Sequence, residues 1–142
     1  QKMIKYDFFR LFLKNKSSYE ALINFRAFLV ELKLKKLDLK SLNNKKIYIY
    51  CYSLYSIAVL RILNENGFSV ENFVDDNKSL YTSQIYGNMN IKSSSIFLEK
   101  TKSDLNDVLI IVCNQSEIVF KQIEKKLKKI NIKKKNITHM LF

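Results

Sequence analysis

Three short stretches hold most of the side chains able to do chemistry. Cys51-Tyr52-Ser53, with Ser56 close behind, sits where a run rich in Ile and Tyr gives way to a helical pattern. At such a turn the free backbone N–H groups of a helix start can hold an anion, above all a phosphate. Asp75 and Asp76 follow at roughly the 20-residue separation at which an acid reaches the ribose hydroxyls of a nucleotide. Cys113-Asn114-Gln115-Ser116 ends a second apolar run, and its amides and hydroxyl can donate to a phosphate or a sugar. Tyr52 and Tyr55 offer rings that can stack on a base or sugar. The single histidine, His139, has no obvious acid–base partner, so proton-transfer catalysis is thinly supplied. The two cysteines lack metal-site spacing and are too few for a disulfide scaffold. They read as buried small hydrophobes that end neighbouring strands.

The elements that position these residues follow from hydrophobic periodicity. "KIYIYC" (residues 46–51) reads as a strand. Ser53 is placed to cap a helix running to about Asn66, with Ile57, Leu60, Ile62 and Leu63 inside, and Gly67 is placed to end it. "FSVENFVDD" is a second strand. A long polar stretch with Gly87 as its turn leads to a brief third strand at Asn90–Ile91, and "SSIFLEK" begins a short helix. "DVLIIVC", residues 107–113, is continuously apolar, as expected of a parallel strand covered on both faces. Ser116 is placed to cap the next helix, with Val119, Ile123, Leu127 and Ile130 as its buried stripe. "NITHML" is the last strand. Strand–helix alternation of this kind implies a parallel sheet with right-handed crossovers. The expected fold class is α/β: a Rossmann-like three-layer α/β/α domain over residues 41–142, with a five-stranded sheet in the order 3-2-1-4-5. A helical arm, residues 1–40, precedes it. In such a sheet ligands bind beyond the carboxyl ends of the strands, where the strand order reverses. That rule brings the three chemistry-bearing stretches together.

The segment "KKIYIYCYSLYSIAVLRILNENGFSVENFVDDNKSLYTSQIYGNMNIKS" resembles the Rossmann-like domains of bacterial surface-glycan and sugar-nucleotide enzymes. These include the N-terminal domains of nucleotide-sugar acetyltransferases and of polysaccharide-biosynthesis dehydratases. The resemblance covers about residues 45–142. It implies a site for a nucleotide, a sugar-nucleotide or NAD(P), built from Cys51, Tyr52, Ser53, Ser56, Asp75, Asp76, Asn114 and Gln115. The family pattern has Gly-Ala-Gly-x-x-Gly after the first strand. Here Cys51, Ser53 and Ser56 stand at the three glycines and Tyr52 at the alanine. The glycines make the tight turn, admit the pyrophosphate and let helix and strand pack closely. A Cβ at Ser53 limits approach, while Ser56 is small enough for the third task. A positive φ at Cys51 would store about 1–2 kcal/mol of strain. Three readings stay open: ordinary dinucleotide binding, a modified nucleotide or sugar-nucleotide site, and a lost site whose fold serves packing or assembly.

Composition bounds the remaining choices. The 142 residues, 47% of them hydrophobic, suffice for one domain with a real core. The longest uncharged run, Ile47 to Leu60, is shorter than the roughly 18 residues of a membrane span, and no signal peptide is evident. A reducing cytoplasm is the expected location. The net charge of +12 is unevenly spread: +6 over residues 1–40, +2 over 41–46, −3 over 47–120 and +7 over 121–142. Only three of the 25 basic residues are arginines, and proline is absent, which fits the codon bias of an AT-rich genome and argues against nucleic acid as partner. The Lys121–Lys135 run reads as the solvated face of the last helix and its exit turn. Tyr6, Phe8, Phe9 and Phe12 on the arm call for a covering surface, from the main domain, a second copy or a fused domain. No residue set forms a complete catalytic constellation, so the chain reads as an accessory or ligand-binding module, with any catalysis in a partner or another domain. The alternative is a structural or protein-interaction domain that dimerises or docks through residues 1–40.

Overall fold

The computed structural model describes residues 42–81 and 89–140. The arm of residues 1–40 and the turn at Gly87 lie outside them. Five strands form one sheet: β1 (Lys46–Tyr50), β2 (Val70–Val74), β3 (Ile91–Lys92), β4 (Val108–Val112) and β5 (Ile137–His139). Their order is β3-β2-β1-β4-β5, and every neighbouring pair is parallel. With helices on both faces this is the Rossmann-like α/β arrangement, and the order reverses at β1.

Alternation along the strands builds two cores. Ile47, Ile49, Phe73, Leu109 and Ile111 point to one face and pack with α1 (Leu54–Glu65), which contributes Ile57, Leu60, Ile62 and Leu63. Ala58 and Val59 of α1 are fully buried as well. Tyr48, Tyr50, Val74, Ile110 and Val112 point to the other face, with Phe97, Leu105 and the helix α3 (Glu117–Lys129). Each large apolar side chain buried this way contributes about 1.5–3 kcal/mol before entropy is counted. Gly67 follows α1 with φ +85°, the left-handed conformation that ends a helix at little cost for glycine.

Three local expectations shift. The first strand stops at Tyr50: the Cys51 N–H still donates to the Val74 carbonyl at 2.8 Å, but its backbone turns to φ +77°. "SSIFLEK" forms a 3-10 helix, Ser94–Glu99, and a separate short helix α2 (Lys102–Asn106) follows it, capped by Thr101. On α3 the buried stripe is Phe120, Ile123 and Leu127, while Val119 is 40% exposed. Glu124 is buried on the same helix and pairs with Lys121 and Lys128.

Candidate functional site

The turn from β1 into α1 is built by its serines. Ser53 caps α1: its Oγ accepts the Ser56 N–H at 3.3 Å, and Ser56 Oγ accepts the Ser53 N–H at 2.7 Å. This reciprocal capping box occupies two of the N–H groups that a helix start would otherwise offer to an anion. The next-door N–H, that of Tyr52, donates to Asp75 Oδ2 at 3.0 Å. The Tyr52 ring is not free for a base: it packs edge-on against Phe73, centroids 5.0 Å apart. Tyr55 is buried, and its phenol donates to the Met140 carbonyl at 2.5 Å.

The two acids beyond β2 have different surroundings. Asp75 stays with the turns, accepting from Tyr52 and, through Oδ1, from the Asn77 N–H at 2.9 Å. Asp76 gathers groups from the α3 side of the sheet. It accepts the Tyr50 phenol, the Ser94 N–H and hydroxyl at 2.9 Å each, and the Lys126 ammonium at 2.5 Å. Burial alone would raise the Asp76 carboxyl. The hydrogen bonds from Lys126, Tyr50 and Ser94 outweigh it and hold the group well below the usual carboxylate range. Burial and the adjacent Asp76 push the Tyr50 phenol far above its ordinary value. Tyr50, Ser94 and Lys126 were not among the candidate residues, although the period-two pattern of β1 already puts Tyr50 on the α3 face.

After β4, Asn114 is oriented by its neighbours. The Ser116 N–H must donate, so the oxygen 3.2 Å away is Asn114 Oδ1. His139 Nε2 lies 2.9 Å from the same oxygen, which makes it an N–H donor. The His139 ring stacks flat on Phe120, centroids 4.2 Å apart. The Asn114 amide nitrogen, turned the other way, is buried with no hydrogen-bond acceptor. It acts on the Cys51 sulfur, favouring its thiolate, but without the geometry of a hydrogen bond.

Cys51, Ser53, Leu54, Tyr55, Cys113, Asn114 and Gln115 line one open cleft of about 490 Å3. It lies beyond the carboxyl ends of β1 and β4, where the strand order reverses. Four of the eight candidate residues line it: Cys51, Ser53, Asn114 and Gln115. Tyr52, Ser56, Asp75 and Asp76 do not, being held by Phe73, the capping box, the turn backbone and the Tyr50–Ser94–Lys126 cluster. No charged side chain lines the cleft. Cys51 and Cys113 are free thiols. Burial, reinforced by Asp75, raises Cys51 to about 11 against the pull of Asn114. Burial and then Cys51 raise Cys113 well above its ordinary value. Among the described residues no group of three or more His, Cys, Asp or Glu could hold a metal ion, and no helix is long and apolar enough to cross a membrane.

The residues only partly fit a dinucleotide in the ordinary mode. The N–H groups of Tyr52, Ser53 and Ser56 have internal partners, so the turn offers a pyrophosphate less than a glycine-rich loop does. The cleft beside it has an uncharged lining. Compared with protein-family models, with curated proteins and with solved structures, the chain matches none.

Proposed function

We propose that the chain is a ligand-binding Rossmann-like module that takes the uncharged ring portion of a nucleotide, sugar-nucleotide or NAD(P) in the Cys51–Ser53–Asn114–Gln115 cleft. The observation that carries this reading is Cys51. A non-glycine residue held at φ +77° costs about 1–3 kcal/mol, and such strain gathers at ligand sites. Here it lies in a cleft at the position where open α/β sheets bind ligands, beside an amide nitrogen with no acceptor. The resemblance in sequence extends the reading to an accessory role in cytoplasmic steps of bacterial surface-glycan metabolism, with the chemistry on a partner or another domain.

Thermal-shift screening with NAD(H), NADP(H), S-adenosylmethionine and UDP-, GDP- and CMP-sugars tests the proposal. A specific stabilisation that Gln115→Trp abolishes by filling the cleft supports it. No shift with any of them at millimolar concentration overturns it.

One observation favours a second reading. The Asp75 carboxylate already takes the Tyr52 N–H, as an external anion would. On that reading the site is lost and the domain serves assembly through residues 1–40. A stable dimer in light scattering, together with a silent ligand screen, is its expected signature.

A further inference from the structure

At the amino ends of β4 and β5, opposite the cleft already described, lies a second cleft of about 520 Å3. Four lysines ring it: Lys102 from α2, Lys128 from α3, and Lys133 and Lys134 from the connector into β5. Asn106 and Asn131 add amides, and no carboxylate belongs to the lining. The turn that gathers them is specific. Asn131 takes φ +71° at the end of α3, and the Ile132 N–H reaches back to the Leu127 carbonyl at 3.1 Å. That bond buries Ile132 beneath the cleft and leaves Lys133 and Lys134 exposed at its edge.

Complementing the negative end of a helix accounts for lysines in the last turn of α3. It does not account for Lys102, on another helix, or for Lys133 and Lys134, past the helix end. Lys128 has Glu124 at 3.6 Å, shared with Lys121. Lys102, Lys133 and Lys134 have no ion pair among the described residues.

We propose that this cleft is a binding site for a compact phosphate-rich anion, an oligophosphate or a ligand group that carries one. The volume is that of a small-ligand site. Lysine binds phosphate as a point charge and needs no planar fork, so four lysines around one cleft suit a multivalent anion of no fixed plane. The asparagine amides supply neutral donors. The inference does not depend on the reading of the Cys51 cleft, which lies at the other end of the sheet.

The full chain is titrated with inorganic tripolyphosphate at physiological salt, followed by calorimetry and by the side-chain amide resonances of Asn106 and Asn131. Saturable shifts of both amides are expected. Lys133→Gln/Lys134→Gln should raise the dissociation constant about tenfold or more. Lys125→Gln/Lys129→Gln, which removes the same charge from exposed sites outside the cleft, should leave it within about twofold. Equal losses in the two variants, or no saturable shift, would overturn the proposal. A second arm uses phosphatidylcholine vesicles containing phosphatidylglycerol. Vesicle binding that is lost in Lys133→Gln/Lys134→Gln, with tripolyphosphate silent, would replace the compact anion by a lipid surface and equally overturn it.

Discussion

Asp75 accepts the backbone N–H of Tyr52 at 3.0 Å, across the gap between the end of β2 and the turn after β1. The sequence suggests two partners for an external ligand, an acid for ribose and a turn for phosphate. The structure joins them to each other. The same carboxylate also takes the Asn77 N–H, so it fastens both loops at the switch point of the sheet.

Asp75→Ala should therefore destabilise the domain by about 1–3 kcal/mol, through two backbone donors left without a carboxylate. Hydrogen exchange of the Tyr52 amide should accelerate in this variant in the absence of any ligand. Unchanged exchange would remove Asp75 from its fastening role and return it to the pool of ligand contacts.

Tyr50 and Asp76 give stability two pH limits. The folded Asp76 carboxyl titrates below its ordinary 3.8, so its contribution is present above pH 3.8 and is lost as pH falls through the folded value. The folded Tyr50 phenol titrates above its ordinary 10.0, so its contribution is full below pH 10.0 and is lost as pH rises further. Urea midpoints should fall below pH 3.8 and also on the alkaline side, where the buried thiols Cys51 and Cys113 begin the decline above their ordinary 9.0 and Tyr50 steepens it above 10.0. Asp76→Asn should flatten the acid limb, and Tyr50→Phe the alkaline one. Lys126 is half exposed and Asp76 about a third, so Lys126→Met should cost less than about 1 kcal/mol at physiological salt. A steep acid limb surviving in Asp76→Asn would show that other carboxylates set it.

The signals legible in the sequence are those that act locally. Ser53, Ser116 and Gly67 mark helix ends because a hydroxyl or a missing Cβ suffices there, and all three do so in the structure. The parallel sheet follows from alternation and crossover handedness. The phase of α3 was not legible: Ile118, Val119 and Phe120 are consecutive apolar residues, and periodicity alone cannot choose among them. The stack of Phe120 on His139, contributed by β5, coincides with the phase that buries Phe120. Adjacent Asp75 and Asp76 look equivalent in a string of letters. They separate because Asp76 finds Tyr50, Ser94 and Lys126, and Lys126 is one of many lysines, 50 residues away. Asn114 meets His139 only because β5 lies beside β4, with Val112 opposite His139.

The backbone at Cys51 predicts an unusual order of substitutions. Glycine takes φ +77° without strain, so Cys51→Gly should stay within about 1 kcal/mol of the parent, relief of strain offsetting lost packing. A β-branched residue tolerates this conformation worst, and Cys51→Val should cost about 2 kcal/mol or more. Chemical denaturation of the two variants decides the matter. If valine is the better tolerated, the left-handed turn is not what the domain requires there.

The thiols provide a further test of the cleft, through chemistry rather than stability. Only the thiolate is alkylated, and Cys51 is raised to about 11, chiefly by burial and then by Asp75. At pH 8 its thiolate is therefore about 0.1% populated. Iodoacetamide labelling of Cys51 should climb about tenfold per pH unit from neutrality to beyond pH 9, where an ordinary thiol near 8.5 has already levelled off. Cys113 is buried and should label only with denaturant present. Asn114 favours the Cys51 thiolate, so Asn114→Ala should slow labelling at every pH below the plateau. A labelling plateau near pH 8.5 in the native protein would mean that neither burial nor Asp75 governs the Cys51 sulfur, and that the cleft is wetter than its lining implies.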